Sequence, residues 1–231
     1  MLLNSPFKTA ILVFANSSQE EAKHKKISNS NKLFDALTAQ TLKTVEKSQL
    51  PYFHFSENEQ EGTTFGERFT KAIEIVFNKG YDFIITLGND TPQLKVAHIL
   101  EAERQVQSNK FVLGPSTDGG FYLMGLSKSQ FERTNFKKLN WQTSSLYKQL
   151  FDQISNLNTS IFKLERLCDI DATVDVRSIL KFTFSLSDKI RDFLLQTQSL
   201  ARLPSTLYLT YFTSFYYATF FNKGSPLVFH S

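Results

Sequence analysis

A lone cysteine, Cys168, leaves this 231-residue chain without a partner for an intramolecular disulfide, and the expected compartment is the reducing cytoplasm. Nine glycines and six prolines are too few for a collagen-like or low-complexity chain. An excess of one charge is also missing. The 26 basic and 22 acidic residues leave a formal net charge of +4, small for this length, so a dedicated nucleic-acid binder is not expected. No apolar run reaches the roughly 18 to 20 residues of a spanning helix. The longest candidate, Leu207 to Phe221, covers 15 residues and carries Thr210, Thr213, Ser214 and Thr219, so no membrane span is expected. Ala10 to Ala15 is too short for the core of a signal peptide, and the polar Asn16 to Glu21 after it is a poor processing site. No Walker A loop, Gly-x-Ser-x-Gly elbow or Cys–His nucleophile pair appears, and His24, His54 and His98 are too scattered for a zinc site.

What is present is an alternation of short apolar runs with segments of helical period, the pattern of βα units around a mostly parallel sheet. Ala10 to Ala15, Pro51 to Phe55, Asp82 to Leu87, Phe111 to Leu113 and Phe121 to Leu126 read as strands. Leu33 to Lys47 reads as a helix. Phe65, Phe69, Ala72, Ile73, Val76 and Phe77 share one face of another, which Gly80 stops. Pro92 is placed to open a further helix, Ser144 to Ile154 forms the next, and one or two more follow Asp175 through Leu200.

Ligands of open α/β sheets sit beyond the carboxyl ends of strands, which directs attention to the loops there. Gly88-Asn89-Asp90-Thr91-Pro92 puts an acid at a strand end, where Asp90 could hold a hard cation against a diphosphate or simply cap the following helix. In Gly114 to Gly120, the Asp118-Gly119-Gly120 turn suits a hairpin, or a backbone cleared so that a sugar or acceptor can lie beside Asp118 acting as acceptor, ligand or base. Asp169-Ile170-Asp171 places two acids on one side of an extended segment, as a metal ligand pair or a capping loop would. Gly66-Glu67-Arg68 at a helix head offers free N–H groups and a guanidinium to phosphate, although Glu67 is also a favourable first-turn acid. The run Lys23-His24-Lys25-Lys26 follows the first strand and could be a solvated face or meet phosphates.

In this order the loops resemble a bacterial family of glycosyltransferases with the GT-A, nucleotide-diphospho-sugar transferase fold, described as rSAM/selenodomain-associated transferase-like and related to the guanylyltransferases of molybdenum-cofactor and phospholactate metabolism. The resemblance runs from Lys8 to Val176 and also takes in Phe121 to Leu126 and Trp141-Gln142-Thr143-Ser144. It implies a three-layer α/β/α enzyme, a metal-dependent transferase using a nucleotide-activated donor. Within it, a Mg²⁺ or Mn²⁺ ion is held by Asp90 and Asp171, and nucleotide is held by Asn16, Lys25, Lys26, Gly66, Glu67 and Arg68. Gly88, Asn89, Pro92, Gly119 and Gly120 border substrate, and Asp118 is the catalytic candidate. Sugar transfer to a small-molecule acceptor is the leading expectation. Nucleotidyl transfer from an NTP to a phosphorylated acceptor is the enzyme alternative, and a degenerate, non-catalytic nucleotide-binding protein is the other. The family's Lys-Thr-Arg-Leu run is replaced here by Lys25-Lys26-Ile27-Ser28, and its Ser and Cys around the motif acid by Asn89 and Thr91.

The transferase domain is expected over residues 1–182 and an aromatic-rich appendage over 183–231. Aromatics fill 11 of the last 49 positions against 21 of the first 182, and 8 of the 15 from Leu207 to Phe221. Such a tail packs over the domain or forms a homodimer contact.

Overall fold

The computed structural model describes residues 7–24, 30–170, 179 and 186–201. Six strands form one sheet in the order β2-β1-β3-β5-β4-β6: β1 (Thr9–Phe14), β2 (Tyr52–Phe55), β3 (Phe83–Leu87), β4 (Phe111–Pro115), β5 (Phe121–Ser127) and β6 (Ile161–Lys163). The β1–β2, β1–β3 and β4–β6 pairs are parallel, and β5 alone runs antiparallel, between β3 and β4. The fold is therefore a mostly parallel α/β sandwich, as the sequence pattern suggests. The reversal of β5 follows from chain length: only Ser116 to Gly120 link β4 to β5, enough for a hairpin and too few for a crossover.

Six helices are needed to place the site: α1 (Ser18–His24), α2 (Ser30–Lys47), α3 (Phe65–Phe77), α4 (Val96–Gln107), α5 (Lys128–Arg133) and α6 (Leu146–Asn156). The alternating side chains of β1 explain why its run is apolar throughout. Ala10, Leu12 and Phe14 enter a core with Phe69, Ile73, Val76 and Phe77 of α3, while Ile11, Val13 and Ala15 enter a second core with Ile99, Ala102 and Val106 of α4. A third cluster joins Leu33, Phe34 and Leu37 of α2 to Cys168, Ile170 and, from the helix Asp188–Ala201, Ile190 and Leu194. Ser187 adds a backbone N–H donated to Gln40 Oε1 at 3.0 Å.

The α3 boundaries match the sequence expectation because every signal agrees. Thr64 accepts from the Glu67 N–H, Glu67 returns the contact to the Thr64 N–H, and the apolar face is buried as spaced. The helix expected at Pro92 starts instead at Val96. Pro92 gives its carbonyl to Gln40 Nε2 at 2.7 Å within a turn closed by Leu94 N–H to Thr91 O, and the His98 Nδ1 then caps the real helix by accepting the Lys95 N–H. The α1 and α5 helices, a 3₁₀ turn at Phe136–Lys138 and β6 are not among the elements expected from the sequence, although Ser127 and Gln130 form a capping box at the head of α5. The 182/183 boundary and the tail from residue 202 lie outside the described residues. Among the described residues, no helix is long and apolar enough to cross a membrane.

Candidate active site

A cavity of about 880 Å³ opens at the carboxyl ends of the parallel strands, lined by segments following β1, β3, β4 and β6 and by the heads of α3 and β5. Its floor is acidic. Asp90 comes from the loop after β3, Asp118 from the β4–β5 turn and Asp169 from the segment after β6, and all three side chains line the same space.

Long-range backbone bonds bring the three acids together. Leu164 and Leu167 donate to the carbonyls of Leu113 and Pro115, extending the β4–β6 pairing as far as a Ser116–Leu167 bridge. The next residues then reach β3's loop, where Ile170 N–H binds Asp90 O at 2.9 Å and Cys168 N–H binds Gln93 Oε1 at 2.8 Å. Asn89 is fixed from the other side by donating to Thr38 Oγ1 of α2 at 2.9 Å. Thr91 Oγ1 donates to Asp169 Oδ1 at 2.5 Å. Burial, followed by the nearby charges of Asp90 and Asp118, pushes the Asp169 carboxyl well above the usual carboxylate range, despite the Thr91 hydrogen bond that opposes the rise.

Asp118 is held differently. Its Oδ1 accepts both the Ser116 hydroxyl and the Gly120 N–H, the latter at 2.9 Å, so Oδ2 is the oxygen left for chemistry. Gly119 makes this turn possible. Its φ is +97°, and a Cβ there would stand 2.1 Å from the Ser144 carbonyl oxygen. That contact presses the turn against the loop Trp141 to Ser145, which is secured by Tyr147 N–H to Gly119 O at 2.9 Å and contains Gln142 at φ +60°.

The opposite wall is built by the loop after β1 and the head of α3. Asn16 donates to Glu21 Oε1 at 3.1 Å and accepts from Gln60 Nε2 at 3.2 Å, and Gln60 Oε1 in turn accepts from Arg68 Nε at 3.2 Å. Arg68 Nη1 reaches the Thr63 carbonyl at 3.4 Å, while Nη2 keeps no acceptor among the described residues. Among the described residues, Arg68 is the one basic side chain lining the cavity, together with the carboxylates of Glu21, Asp90, Asp118 and Asp169.

Of the residues singled out from sequence, Asn16, Arg68, Gly88, Asn89, Asp90, Asp118 and Gly120 line this cavity. Gly66, Pro92 and Gly119 stand just behind its wall: the Trp141 ring lies over Gly66, Pro92 is buried in its turn, and Gly119 meets Ser144. Glu67 is placed elsewhere. Its carboxylate accepts the Thr63 hydroxyl and the Thr63 and Thr64 N–H groups, which lower its pKa to about 2 and commit it to capping α3. Lys25, Lys26 and Asp171 lie outside the described residues; Lys23, from the same basic run, pairs with Glu20. Among the described residues, no three His, Cys, Asp or Glu side chains are gathered tightly enough to enclose a metal by themselves. Glu21, Gln60, Ser116, Trp141 and Ser144 are lining residues that sequence reasoning did not single out as site residues. Trp141 and Ser144 did stand within a quoted motif.

Residues 32–143, just under half of the chain, match the profile of a family described as an uncharacterized protein conserved in bacteria, DUF2064. No curated protein matches the sequence. Among solved structures, a candidate nucleotide-diphospho-sugar transferase from Desulfovibrio desulfuricans G20 superposes with a TM-score of 0.67 at 19% identity, covering 85% of this chain and 97% of that one. Rv0371C of Mycobacterium tuberculosis H37Rv, solved in complex with manganese, gives a TM-score of 0.46 at 12% identity, covering 75% and 98%. A cytidylyltransferase from Leptospira borgpetersenii serovar Hardjo-bovis gives 0.42 at 16%, covering 86% and 96%. The nucleotide-diphospho-sugar transferase fold expected from the loop motifs is thus the fold of the chain.

Proposed function

We propose that the chain is a nucleotide-dependent transferase, a glycosyltransferase that moves a sugar from a nucleoside diphosphate to a small-molecule hydroxyl. The observation that carries this reading is the meeting of Asp90, Asp118 and Asp169 on one cavity at the ligand-binding edge of this fold, with Arg68 on the facing wall. Arg68 Nη2 and the amide groups of Asn16 and Gln60 suit the phosphates and polar edges of a nucleotide. Lys25 and Lys26 remain proposed phosphate contacts.

The residues present fit a divalent cation, Mg²⁺ or Mn²⁺. Asp169 is a carboxyl kept beside two others in a partly dry site, an arrangement that a cation relieves. Asp90 and Asp169 would hold the ion, with Asp171 a further proposed ligand. Because no three acids among the described residues close a shell alone, oxygens of the donor's diphosphate would help complete it, as suits an ion that retains few protein ligands. When bound, the ion supplies positive charge that stabilises the departing diphosphate.

The chain's own contribution is then orientation and one proton transfer. The acceptor oxygen forms a bond to the sugar's anomeric carbon as the bond to the diphosphate breaks, the nucleoside diphosphate leaves with that electron pair, and Asp118 Oδ2 takes the acceptor's proton. Ser116 and the Gly120 N–H hold the other carboxylate oxygen and so fix where Oδ2 points. The test is incubation with a panel of nucleotide-sugars, Mn²⁺ and both polyol and aryl-bearing alcohol acceptors, read by mass spectrometry for glycoside and free nucleoside diphosphate. Release of pyrophosphate from an NTP instead would replace sugar transfer by nucleotidyl transfer. If no nucleotide or nucleotide-sugar raises the unfolding temperature with Mn²⁺ present, the reading fails as a whole.

A further inference from the structure

The cavity is chemically divided. The same space also holds a wall of rings: Phe14, Phe65, Phe69, Phe121 and Trp141 all line it, and they pack on one another. Phe65 meets Trp141 at 5.1 Å between ring centres, Phe69 meets Trp141 at 5.0 Å and Phe121 meets Trp141 at 6.1 Å. Phe14 and Phe69 are almost fully buried, which makes them the backing of the wall. Phe65, Phe121 and Trp141 are only partly covered by the protein although they pack on the core, so part of each ring is left to the cavity. The polar edge of the indole is turned away, since Trp141 Nε1 donates to the Phe136 carbonyl at 2.8 Å. Carbon alone is therefore what this wall offers a ligand.

A phosphate has no partner on such a surface, and water against it is displaced at a gain. Phe121 is also the residue after Gly120, whose N–H orients Asp118, so the ring wall begins beside the group proposed to receive the acceptor's proton. We infer that the wall of Phe65, Phe121 and Trp141 is an acceptor subsite for an alcohol carrying a flat, hydrocarbon-rich ring next to its reacting hydroxyl. The inference rests on the transferase reading and names the acceptor class for that same site. A wholly hydrophilic acceptor such as a free polyol would leave three part-exposed rings unmatched.

Trp141 is the only tryptophan of the chain, so its emission reports occupancy without any turnover. Phenyl β-glucoside and methyl β-glucoside, which differ only in the ring, are titrated against the full chain with excitation selective for tryptophan. The phenyl compound is expected to change the emission and to bind about tenfold more tightly than the methyl one. Phe121→Leu, which keeps most of the buried volume, is expected to bring that ratio to about threefold or less, and Phe65→Leu provides the same reading if Phe121→Leu is poorly folded by circular dichroism. Equal binding of the two glucosides, or a preference untouched in the folded variants, overturns the inference. Nucleotide binding, measured in parallel by the shift in unfolding temperature with Mn²⁺, separates the cases. A shift with no phenyl preference sinks the acceptor subsite alone, whereas the absence of any nucleotide shift sinks the transferase reading.

Discussion

Replacing Gly119 by alanine should be among the more damaging single-methyl additions this protein can receive, and the cost can be assembled from its surroundings. The φ of +97° disfavours any side chain by about 1–2 kcal/mol. The added Cβ would also lie 2.1 Å from Ser144 O and 2.7 Å from Ser144 C, well inside the 3.0 Å that such contacts respect, and its obstacle is backbone, not the tip of a flexible side chain. Overpacking of this kind costs about 1–3 kcal/mol. Relief requires the Ser144 segment to move by close to an ångström, which strains the Tyr147 N–H to Gly119 O bond and adds about 0.5–1.5 kcal/mol. Together these come to about 2.5–6.5 kcal/mol. Gly80 provides the control, because its φ of +89° is similar while nothing stands within 4 Å of its Cβ position, so Gly80→Ala should cost only the conformational share of about 1–2 kcal/mol. Urea unfolding of both variants, followed by Trp141 emission and by circular dichroism, gives the two values. If they agree within about 0.5 kcal/mol, a margin comparable to extrapolation error, the close packing of the β4–β5 turn on the Trp141–Ser145 loop is refuted.

Arg68→Ala should weaken nucleoside diphosphate binding by about 10- to 100-fold, as expected for losing a charged hydrogen bond, with the circular dichroism spectrum unchanged; Arg68→Lys should recover only part of it because the contact to Gln60 is made by Nε. Asp169→Asn should raise the urea midpoint of the metal-free protein, by removing a buried charge beside Asp90 and Asp118, and should abolish the further rise that Mn²⁺ produces; a lower midpoint would contradict the crowding of the acids. Glu67 has a folded pKa lowered to about 2 from 4.5, so its contribution is present above 4.5 and lost as the pH falls from there towards 2. Glu67→Gln should accordingly flatten the fall of the urea midpoint in that interval, and identical profiles for the two proteins would count against the capping role.

The parts of the site that sequence reasoning could reach are those carried by local signals. Asp90 and Asp118 follow apolar runs, so the rule that ligands gather at strand ends locates both, and Arg68 is placed by the unambiguous register of α3. The placement of Asp169 is not local: what puts it on the cavity is the Ser116–Leu167 bridge together with the Thr91 hydroxyl, which come from other elements of the chain. Asp171 lies outside the described residues. Glu67 shows the opposite failure. A first-turn acid at a helix head is compatible with a ligand site, but Thr63 and Thr64 consume its carboxylate before any ligand could. Gln60 and Glu21 carry no signal at all, since their roles arise from hydrogen bonds between the β1 and β2 loops that exist only after the strands pair. The ring wall was hidden for a related reason. Phe65 and Phe69 read as ordinary core residues of an amphipathic helix, and Trp141, lying in a loop, is what turns them into one side of a cavity.

Charge in the cavity constrains how ligands can enter it. Among the described residues, four carboxylates and one guanidinium line the cavity, and the chain's formal +4 is too small to draw a diphosphate in by its overall field. Burial first, and then the charges of Asp90 and Asp118, raise the Asp169 pKa, so the acids of the floor also disfavour one another's ionisation. On the proposed reading, neither ligand is well suited to bind alone. Among the described residues, the cation lacks a closed protein shell and the diphosphate has Arg68 as its basic partner in the cavity. Bound together, each supplies what the other is missing, so their affinities are coupled, and by linkage the factor by which nucleotide tightens the cation equals the factor by which the cation tightens nucleotide. On that reading the acid-rich floor is specific to the pair, and the ring wall is left to select the acceptor.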